Sequence, residues 1–378
     1  HTELETVYEE KNMSLTDDGS KVYEAMLAAL FPHHPYGTQT VLGTQDNLKN
    51  PSITNIKKYF EQWYVPNNMA VCLSGDFDPD KTIAIIDRYF GTMKPNHDLP
   101  VLQKQQEPEI TTPVVREVLG HDAEDITLAW RFPGAADRDA ETLQVVSQVL
   151  YNGQAGLIDL DITQQQTAQW AFSAPVLMSD YSMLMLKARP KAGQSLDEAK
   201  DLLLAEVAKL RNGDFDEDML KAILNNLKLY QLYQQEENSV RADMFVQSFI
   251  NGSDWADEVT ALDRISKLTK DDIVAFANKY LKDTNYAAIY KRQGQDPNEK
   301  KIAKPQITPI VMNRDTASAY LREIQQSQAQ PIEPVFLDFS KDLEQFTTSS
   351  GIPVLYKQNT DNDLFTLVYL FDMGNDQD

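Results

Sequence analysis

The sequence predicts a chain of mixed helices and strands in which one kind of domain occurs twice. The first observation is that segments with helical spacing of apolar residues alternate with short apolar runs flanked by turn residues, the pattern of helices and buried strands. The second is a repeat of a helix followed by a strand, at residues 52–73 and again at residues 268–290, with aligned side chains in the two copies: Tyr64 with Tyr280 and, nearly in register, Asn68 with Asn285. A repeat at this distance indicates duplicated domains, because a solenoid would need many short periods.

The composition excludes several classes of protein. With 378 residues, of which 42% are hydrophobic, the chain can form the cores of two or three domains. The net charge of −22, from 57 acidic and 35 basic residues, argues against a phosphate-binding surface, so we expect no nucleic-acid partner. This acidity could attract basic peptides or simply confer solubility. No stretch approaches the roughly 18 apolar residues of a membrane span, so we expect no membrane segment in this chain.

A single cysteine limits the redox and metal chemistry. Cys72 lies in the apolar run 69–73, so no disulfide framework and no cysteine-based metal site is expected, and we predict a buried thiol. The absence of disulfides suits the cytoplasm and a bacterial periplasm equally. The sequence therefore leaves the compartment open between these two.

An acidic helix opens the chain. Glu3 and Glu10 are seven residues apart, about two turns, so both carboxylates project from nearly the same line of the helix and could serve one cation. The alternative is a solvated acidic face near a helix N-terminus, where negative charge is favoured, formed by Glu3, Glu5, Glu9 and Glu10. The spacing alone does not decide between the two interpretations.

Local signals predict the other elements up to residue 113. After a polar break at residues 17–19, the pattern predicts two helices, a buried strand and a Pro- and Gln-rich connector, in this order: residues 22–31, 53–64, 67–75 and 94–113, with a domain boundary near residue 108. Acidic residues alternate between Asp76 and Asp80, but Lys81 stands where a calcium loop needs glycine. We therefore predict a turn in which Asp78 or Asp80 caps the next helix.

The second domain and the end of the chain continue the alternation. We predict strands at residues 114–119 and 127–132 that pair with each other, followed by helices and strands at residues 139–150, 170–174, 183–188, 195–212 and 217–235. Ser195 and Glu198 form a capping-box pattern. A second connector, helical over residues 315–326, leads to a predicted strand hairpin formed by residues 346–356 and 364–371.

Several blocks near the start resemble the M16 (insulinase/pitrilysin-like) metallopeptidases downstream of their His-x-x-Glu-His zinc motif. The blocks are the Glu-x6-Glu spacing of the first helix, the polar break, the helix after it, and the runs His34-Pro-Tyr-Gly37 and Val41-Leu-Gly-Thr44. The resemblance implies that Glu10 is the third zinc ligand. It also implies that Glu3 does not bind the zinc ion itself but supports the site by orienting a ligand or a water molecule. No His-x-x-Glu-His occurs in these residues. We therefore interpret the chain as an internal fragment whose zinc histidines precede His1.

The same resemblance implies an α+β fold of duplicated rolls, like those of LuxS and the mitochondrial processing peptidase, each an antiparallel sheet with helices packed on it. It assigns residues 1–107 to the C-terminal part of domain 1 and residues 108–293 to a non-catalytic domain 2. Residues 294–340 become the linker between the two halves, and residues 341–378 the start of domain 3. In the family the two halves close around a peptide chamber.

The function implied is that of a zinc-dependent metalloendopeptidase hydrolysing peptides or small unfolded proteins. Its partners would be peptide substrates and the remaining domains of the same polypeptide, and Zn2+ would be held by two upstream histidines and Glu10. The chain on its own is expected to be metal-free and inactive. A non-catalytic M16 homologue acting as an assembly or peptide-binding subunit is the alternative, and an unrelated α+β binding protein with a solvated acidic helix is the third hypothesis.

The histidines do not add a metal site. His33 and His34 are adjacent and would not face one ion, and the resemblance makes residues 34–37 a structural turn. His97 in the first connector and His121 in an acidic turn are expected to be solvated. Arg241, in the polar run after the second domain's long helix, is not assigned as a substrate-binding group, because the resemblance implies that the substrate-contacting residues of the family's last domain lie beyond Asp378.

Overall fold

The computed structural model describes residues 2–49, 51–296, 316–329 and 331–374. The chain divides into two units, His1–Thr308 and Pro309–Asp378. In the first unit the helices are α1 Thr2–Thr16, α2 Asp18–Leu30, α3 Pro35–Thr38, α4 Gln45–Lys49, α5 Ile53–Trp63, α6 Pro79–Phe90, α7 Arg138–Leu150, α8 Leu196–Asn212, α9 Glu217–Glu236, α10 Asn238–Asn251, α11 Trp255–Ile265 and α12 Lys270–Tyr280. Its strands are β1 Val114–Gly120, β2 Asp125–Pro133, β3 Trp170–Val176, β4 Tyr181–Arg189 and β5 Tyr286–Gln293.

The strands described in the first unit form one sheet in the order β1-β5-β2-β4-β3. β1 and β5 are parallel, and the other neighbours are antiparallel. The α+β class is therefore confirmed, but the sheet is mixed. The predicted pairing of β1 with β2 is wrong because β5 lies between them. β5 is buried along most of its length and suits a central position, whereas β1 has an exposed middle that suits an edge.

The sheet is covered on both faces by different parts of the chain. Alternate residues of β2 point to opposite faces, with Ile126, Leu128 and Trp130 on one face and Ala129 on the other. The first face packs against α7, α8, α9 and α12 and forms the larger core. The second face packs against α2, which comes from the N-terminal part of the chain. The N-terminal part is thus joined to this sheet by a buried apolar contact.

The repeat in the sequence is confirmed for its helix. Ser52 and Thr269 cap α5 and α12 by accepting hydrogen bonds from backbone N–H groups three residues later, and each helix has 11 residues. The same alignment matches Asn68 with Asn285, and each side chain donates to the carbonyl oxygen five residues before it, at Trp63 and Tyr280. The predicted register was one residue off, since Tyr280 corresponds to Trp63 and not to Tyr64.

The two copies differ after the helix. Residues 69–74 correspond to the start of β5, but within the described residues no strand pairs with them, and Met69, Val71 and Leu73 are 39%, 51% and 45% exposed. The predicted buried strand at residues 67–75 is therefore wrong. The predicted buried thiol is also wrong, since Cys72 is half-buried. β5 is a strand because β1 and β2 bond to its two edges, and residues 69–74 have no such neighbours among the described residues.

Of the other local predictions, two caps are confirmed and one helix begins earlier than predicted. The capping box of Ser195 and Glu198 is confirmed, and Asp78 caps α6 by accepting from the Lys81 N–H at 3.2 Å. The helix predicted at residues 22–31 begins earlier, at Asp18, because the Asp17 side chain caps it there. No helix in the part of the chain that the structure describes is long and apolar enough to cross a membrane.

The second unit contains α13 Ala319–Gln326 and a hairpin of β6 Glu344–Thr347 and β7 Pro353–Tyr356. The strand predicted at residues 364–371 is wrong, since that stretch forms no regular secondary structure and most of its apolar side chains are exposed. Part of the second connector, residues 297–315, lies outside the described residues. The domain boundaries drawn from the resemblance stay predictions.

Candidate functional site: the acidic helix and its support

The two carboxylates singled out by the sequence lie on α1 and are both exposed. The helix buries other residues: Tyr8 is covered, and Lys11 is buried and pairs with Glu24 of α2 at 3.2 Å. Glu3 and Glu10 are therefore on a part of the helix surface that the described residues leave open. Their carboxylates can accept hydrogen bonds or bind a cation that reaches them from outside.

A zinc site requires a complete set of donor side chains around one position. A catalytic zinc ion in a protein has three protein ligands and one open position. The Glu10 carboxylate is a suitable donor, but no group of three or more His, Cys, Asp or Glu side chains that could hold a metal exists among the described residues. These residues by themselves do not form a complete zinc site.

α1 is held in place by the elements beside it. A single residue, Asp17, separates its end from the start of α2, and the Asp17 N–H donates to the Met13 carbonyl oxygen at 3.2 Å. On another side, the Gln45 side chain of α4 donates to the Asn12 side chain at 2.9 Å. The direction in which α1 presents its carboxylates therefore depends on where α2 is fixed.

The structural turn predicted at residues 34–37 is confirmed. His34 is buried, and its Nδ1 accepts from the Tyr36 N–H at 3.1 Å, which caps α3. Since Nδ1 accepts, we assign the proton to Nε2, which lies 2.9 Å from Asp180 Oδ2. The ring also contacts Tyr36 and Tyr181, with centroids 4.2 Å and 5.4 Å away. Both ring nitrogens of His34 are thus used in the fold.

Glu107 organises the same corner from the connector. Its covered carboxylate accepts from the His33 and His34 N–H groups at 2.7 Å and 2.6 Å, and the exposed His33 ring lies 3.1 Å away. Nη1 of Arg131, on β2, lies 3.8 Å from Glu107 Oε2. Burial alone would raise the pKa of Glu107, but these hydrogen bonds and the arginine charge hold it below the ordinary value of 4.5. His33 and His34 therefore serve different carboxylates and share no metal site.

We expect Glu107 to make stability depend on pH below 4.5. Because its folded-state pKa is lowered, its contribution to the free energy of unfolding is fully present above 4.5 and is lost as the pH falls through the lowered pKa. Glu107→Gln cannot ionise. Urea unfolding between pH 2.5 and 7 should show the largest difference between wild type and variant above 4.5 and a shrinking difference below it. A difference independent of pH would contradict this assignment.

A cavity of about 270 Å³ lies away from α1, between the loop after α7 and the start of α9. Sequence reasoning missed this loop, although Asn152-Gly-Gln-Ala-Gly156 followed by Asp159 is a visible signal. The buried Asp159 Oδ2 accepts three backbone N–H bonds, from Asn152, Gly153 and Gly156, at 2.9 to 3.1 Å. The cavity lining mixes amide, carboxylate and apolar groups and holds no histidine, cysteine or serine. The arrangement shapes the loop and supplies no candidate nucleophile.

Comparison with known proteins gives a consistent family. A family model described as "Peptidase M16 inactive domain" matches residues 52–227. The "Zinc protease PqqE" of Helicobacter pylori is 24% identical over 280 residues, which cover 71% of this chain and 61% of that relative. This chain thus spans about three fifths of that protein's length.

The solved structures show the same fold. A protease from Helicobacter pylori matches with a TM-score of 0.72 and 22% identity over 77% of this chain and 71% of that one. The periplasmic protease PqqL from Escherichia coli matches with a TM-score of 0.63 and 15% identity over 96% of this chain and 42% of that one. At these identities the structural likeness establishes the fold alone. Together with the family model and the zinc-protease relative, it confirms the resemblance to the M16 family.

Proposed function

Because this chain is a homologue of the M16 peptidases, we propose that it belongs to a zinc-dependent metalloendopeptidase that hydrolyses peptides or small unfolded proteins in a closed chamber. The observation that carries the proposal is the pair of exposed carboxylates, Glu3 and Glu10, on a helix packed against α2. They stand just upstream of the His34 turn, whose residues are those of the family pattern. The relative named a zinc protease supports the same class of reaction.

In this proposal Glu10 supplies one carboxylate ligand of the zinc ion, and Glu3, two turns earlier, orients a ligand or a water molecule. The other ligands, histidines in the family pattern, would come from outside the described residues. Zinc, when bound, supplies a Lewis acid and an activated water for peptide hydrolysis. The chain's own contribution is to hold the Glu10 carboxylate at a fixed place and leave its outer side open.

The experiment compares three substitutions on α1 in the protein expressed from its complete gene. Glu10→Gln should lower the zinc content after dialysis from about one ion per molecule to below about a tenth, and should abolish cleavage of a fluorogenic peptide. Glu3→Gln should lower zinc affinity or activity about 10–100-fold, as is usual for groups that support a metal ligand. Glu5→Gln, on the same helix, should leave both unchanged. Full zinc content and activity in Glu10→Gln would overturn the proposal.

The second candidate is a non-catalytic homologue that acts as an assembly or peptide-binding subunit. One observation favours it: the matching family model is that of the inactive domain. The same preparation separates the two functions. Peptide binding without stoichiometric zinc and without cleavage in the wild type would select the subunit.

A further inference from the structure

We infer that the sheet of residues 114–293 is the anchor that orients α1, acting through two polar clamps at the ends of α2. The N-terminal clamp is formed by Asp18 and Lys291, and the C-terminal clamp by Arg131 and the Leu30 carbonyl group. The inference assigns a positioning role to a domain whose family name calls it inactive. That this anchoring positions a metal ligand, Glu10, rests on the proposed function, whereas the anchoring itself does not.

The N-terminal clamp joins the first residue of α2 to the last part of β5. Lys291 Nζ lies 2.7 Å from Asp18 Oδ2, and the two residues are 1% and 7% exposed. The Asp122 N–H donates to the same carboxylate oxygen at 2.8 Å, and Lys291 Nζ also donates to the carbonyl oxygens of Asp122 and Ala123. Both buried charges thus have partners. Burial alone would raise the pKa of Asp18, but these partners hold it below its ordinary value, so the carboxylate is ionised at neutral pH.

The backbone around this clamp is shaped to fit it. A Cβ atom on Gly120, at the end of β1, would lie 2.0 Å from Asp18 Oδ1 and 2.2 Å from Oδ2. The carboxylate therefore occupies the space that any other residue at position 120 would fill. Lys21, the other cation near Asp18, stands 4.0 Å from it and makes a weak contact with the Leu119 carbonyl oxygen at 3.5 Å. These contacts consequently fix the N-terminus of α2 at one position on the sheet.

The C-terminal clamp holds the other end of α2 to the neighbouring strand. Arg131 of β2 donates from Nη1 to the Leu30 carbonyl oxygen at 2.7 Å and from Nη2 to the Pro108 carbonyl oxygen. Cations are favoured at helix C-termini, where the last carbonyl groups lack partners inside the helix. The guanidinium group also lies over the rings of Phe31 and Tyr181, at 6.0 Å and 5.6 Å. This clamp fixes the end from which the His34 turn begins.

Between the clamps the contact is apolar and continuous. Val22, Met26 and Leu30 of α2 are buried in one cluster with Ala129 of β2 and Ile289 of β5. The apolar contacts stabilise the packing of α2 on the sheet, but they would allow the helix to shift along it. A buried ion pair permits one position only, because a shift would leave a buried charge without its partner, at a large cost in free energy. Since only Asp17 separates α1 from α2, fixing the register of α2 also fixes the start of the turn that orients α1.

Hydrogen exchange on the complete chain tests the anchor without any need for metal. Lys291→Met keeps the volume of the side chain but removes the cation that lies 2.7 Å from the buried Asp18 carboxylate, and Lys21, 4.0 Å away, is the nearest cation left among the described residues. We expect backbone amides of α1 and the first turns of α2 to exchange at least about tenfold faster, while those of α7 and α8 stay within about twofold of wild type. The double variant Asp18→Asn with Lys291→Met removes both charges and should bring α1 back to within about threefold.

The matched control is Arg264→Met, which breaks a half-exposed ion pair with Glu141 on the same domain and should leave α1 unchanged. Unchanged exchange of α1 in Lys291→Met would overturn the inference. So would an equal acceleration of α7 and α8, since the pair would then serve only the stability of the whole domain. If Glu10→Gln proves to have no effect on zinc or activity, the proposed function fails while the exchange result still decides the anchor.

Discussion

Ile273→Ala is expected to lower the free energy of unfolding by about 2–5 kcal/mol, whereas Ile56→Ala, at the equivalent position of the repeat, should change it by less than about 0.5 kcal/mol. Ile273 of α12 is fully buried in the larger core, so truncation leaves a cavity. Ile56 of α5 is 55% exposed, so truncation removes few contacts. The same substitution in two aligned helices therefore separates burial from helix propensity.

Urea unfolding followed by circular dichroism measures both variants against the wild type. Because the two helices have equal length and similar caps, each variant is the control for the other. Equal losses would contradict the prediction, and would show that Ile56 is covered in solution by a surface that the described residues do not include. That result would also revise the exposed state of Tyr59 and Phe60, the equivalents of Phe276 and Ala277.

Gly37→Ala is expected to lower the free energy of unfolding by about 1–3 kcal/mol, the usual cost of forcing extra volume into a packed site. A Cβ atom at position 37 would lie 2.2 Å from the Phe31 carbonyl oxygen and 2.5 Å from that of Leu27. Both atoms belong to the backbone at the end of α2, so they cannot rotate away. The substitution must shift either the end of α2 or the turn that carries His34.

Gly19→Ala, at the other end of α2, is the matched control. Its Cβ would meet only the Asp17 carboxylate, with Oδ2 3.2 Å away, and a side-chain tip can move aside. We expect its unfolding free energy to lie within about 0.5 kcal/mol of wild type in the same urea titration. A Gly37→Ala variant as stable as Gly19→Ala would mean that the close approach at Gly37 relaxes without cost.

The segment that matches the family model, residues 52–227, does not end at the predicted domain boundary. The matched segment runs from α5 into α9, across the boundary predicted near residue 108. The structure likewise buries α2 against β2 and β5, so the two predicted domains share a core contact. A domain without its own zinc ligands can still affect a metal site if it fixes the helix that carries a ligand.

Glu3 and Glu10 share a helix as their spacing predicts, and both are exposed. Their assignment as support and ligand stays a prediction, because the described residues contain no group of three side chains that could hold a metal. By contrast, the turn at residues 34–37, which the family resemblance implies, is confirmed, and its cap is local because the Tyr36 N–H donates to His34 Nδ1 only two residues away.

Local interactions were readable from the sequence because their partners are only a few residues apart. The capping box at Ser195 and the Asp78 cap belong to this class. Only the tertiary structure decided that β5 lies between β1 and β2, that Asp18 pairs with Lys291, and that residues 69–74 form no paired strand among the described residues. These outcomes depend on contacts between distant residues, and an apolar run or a lone charge has the same sequence pattern whether or not the chain brings it a partner.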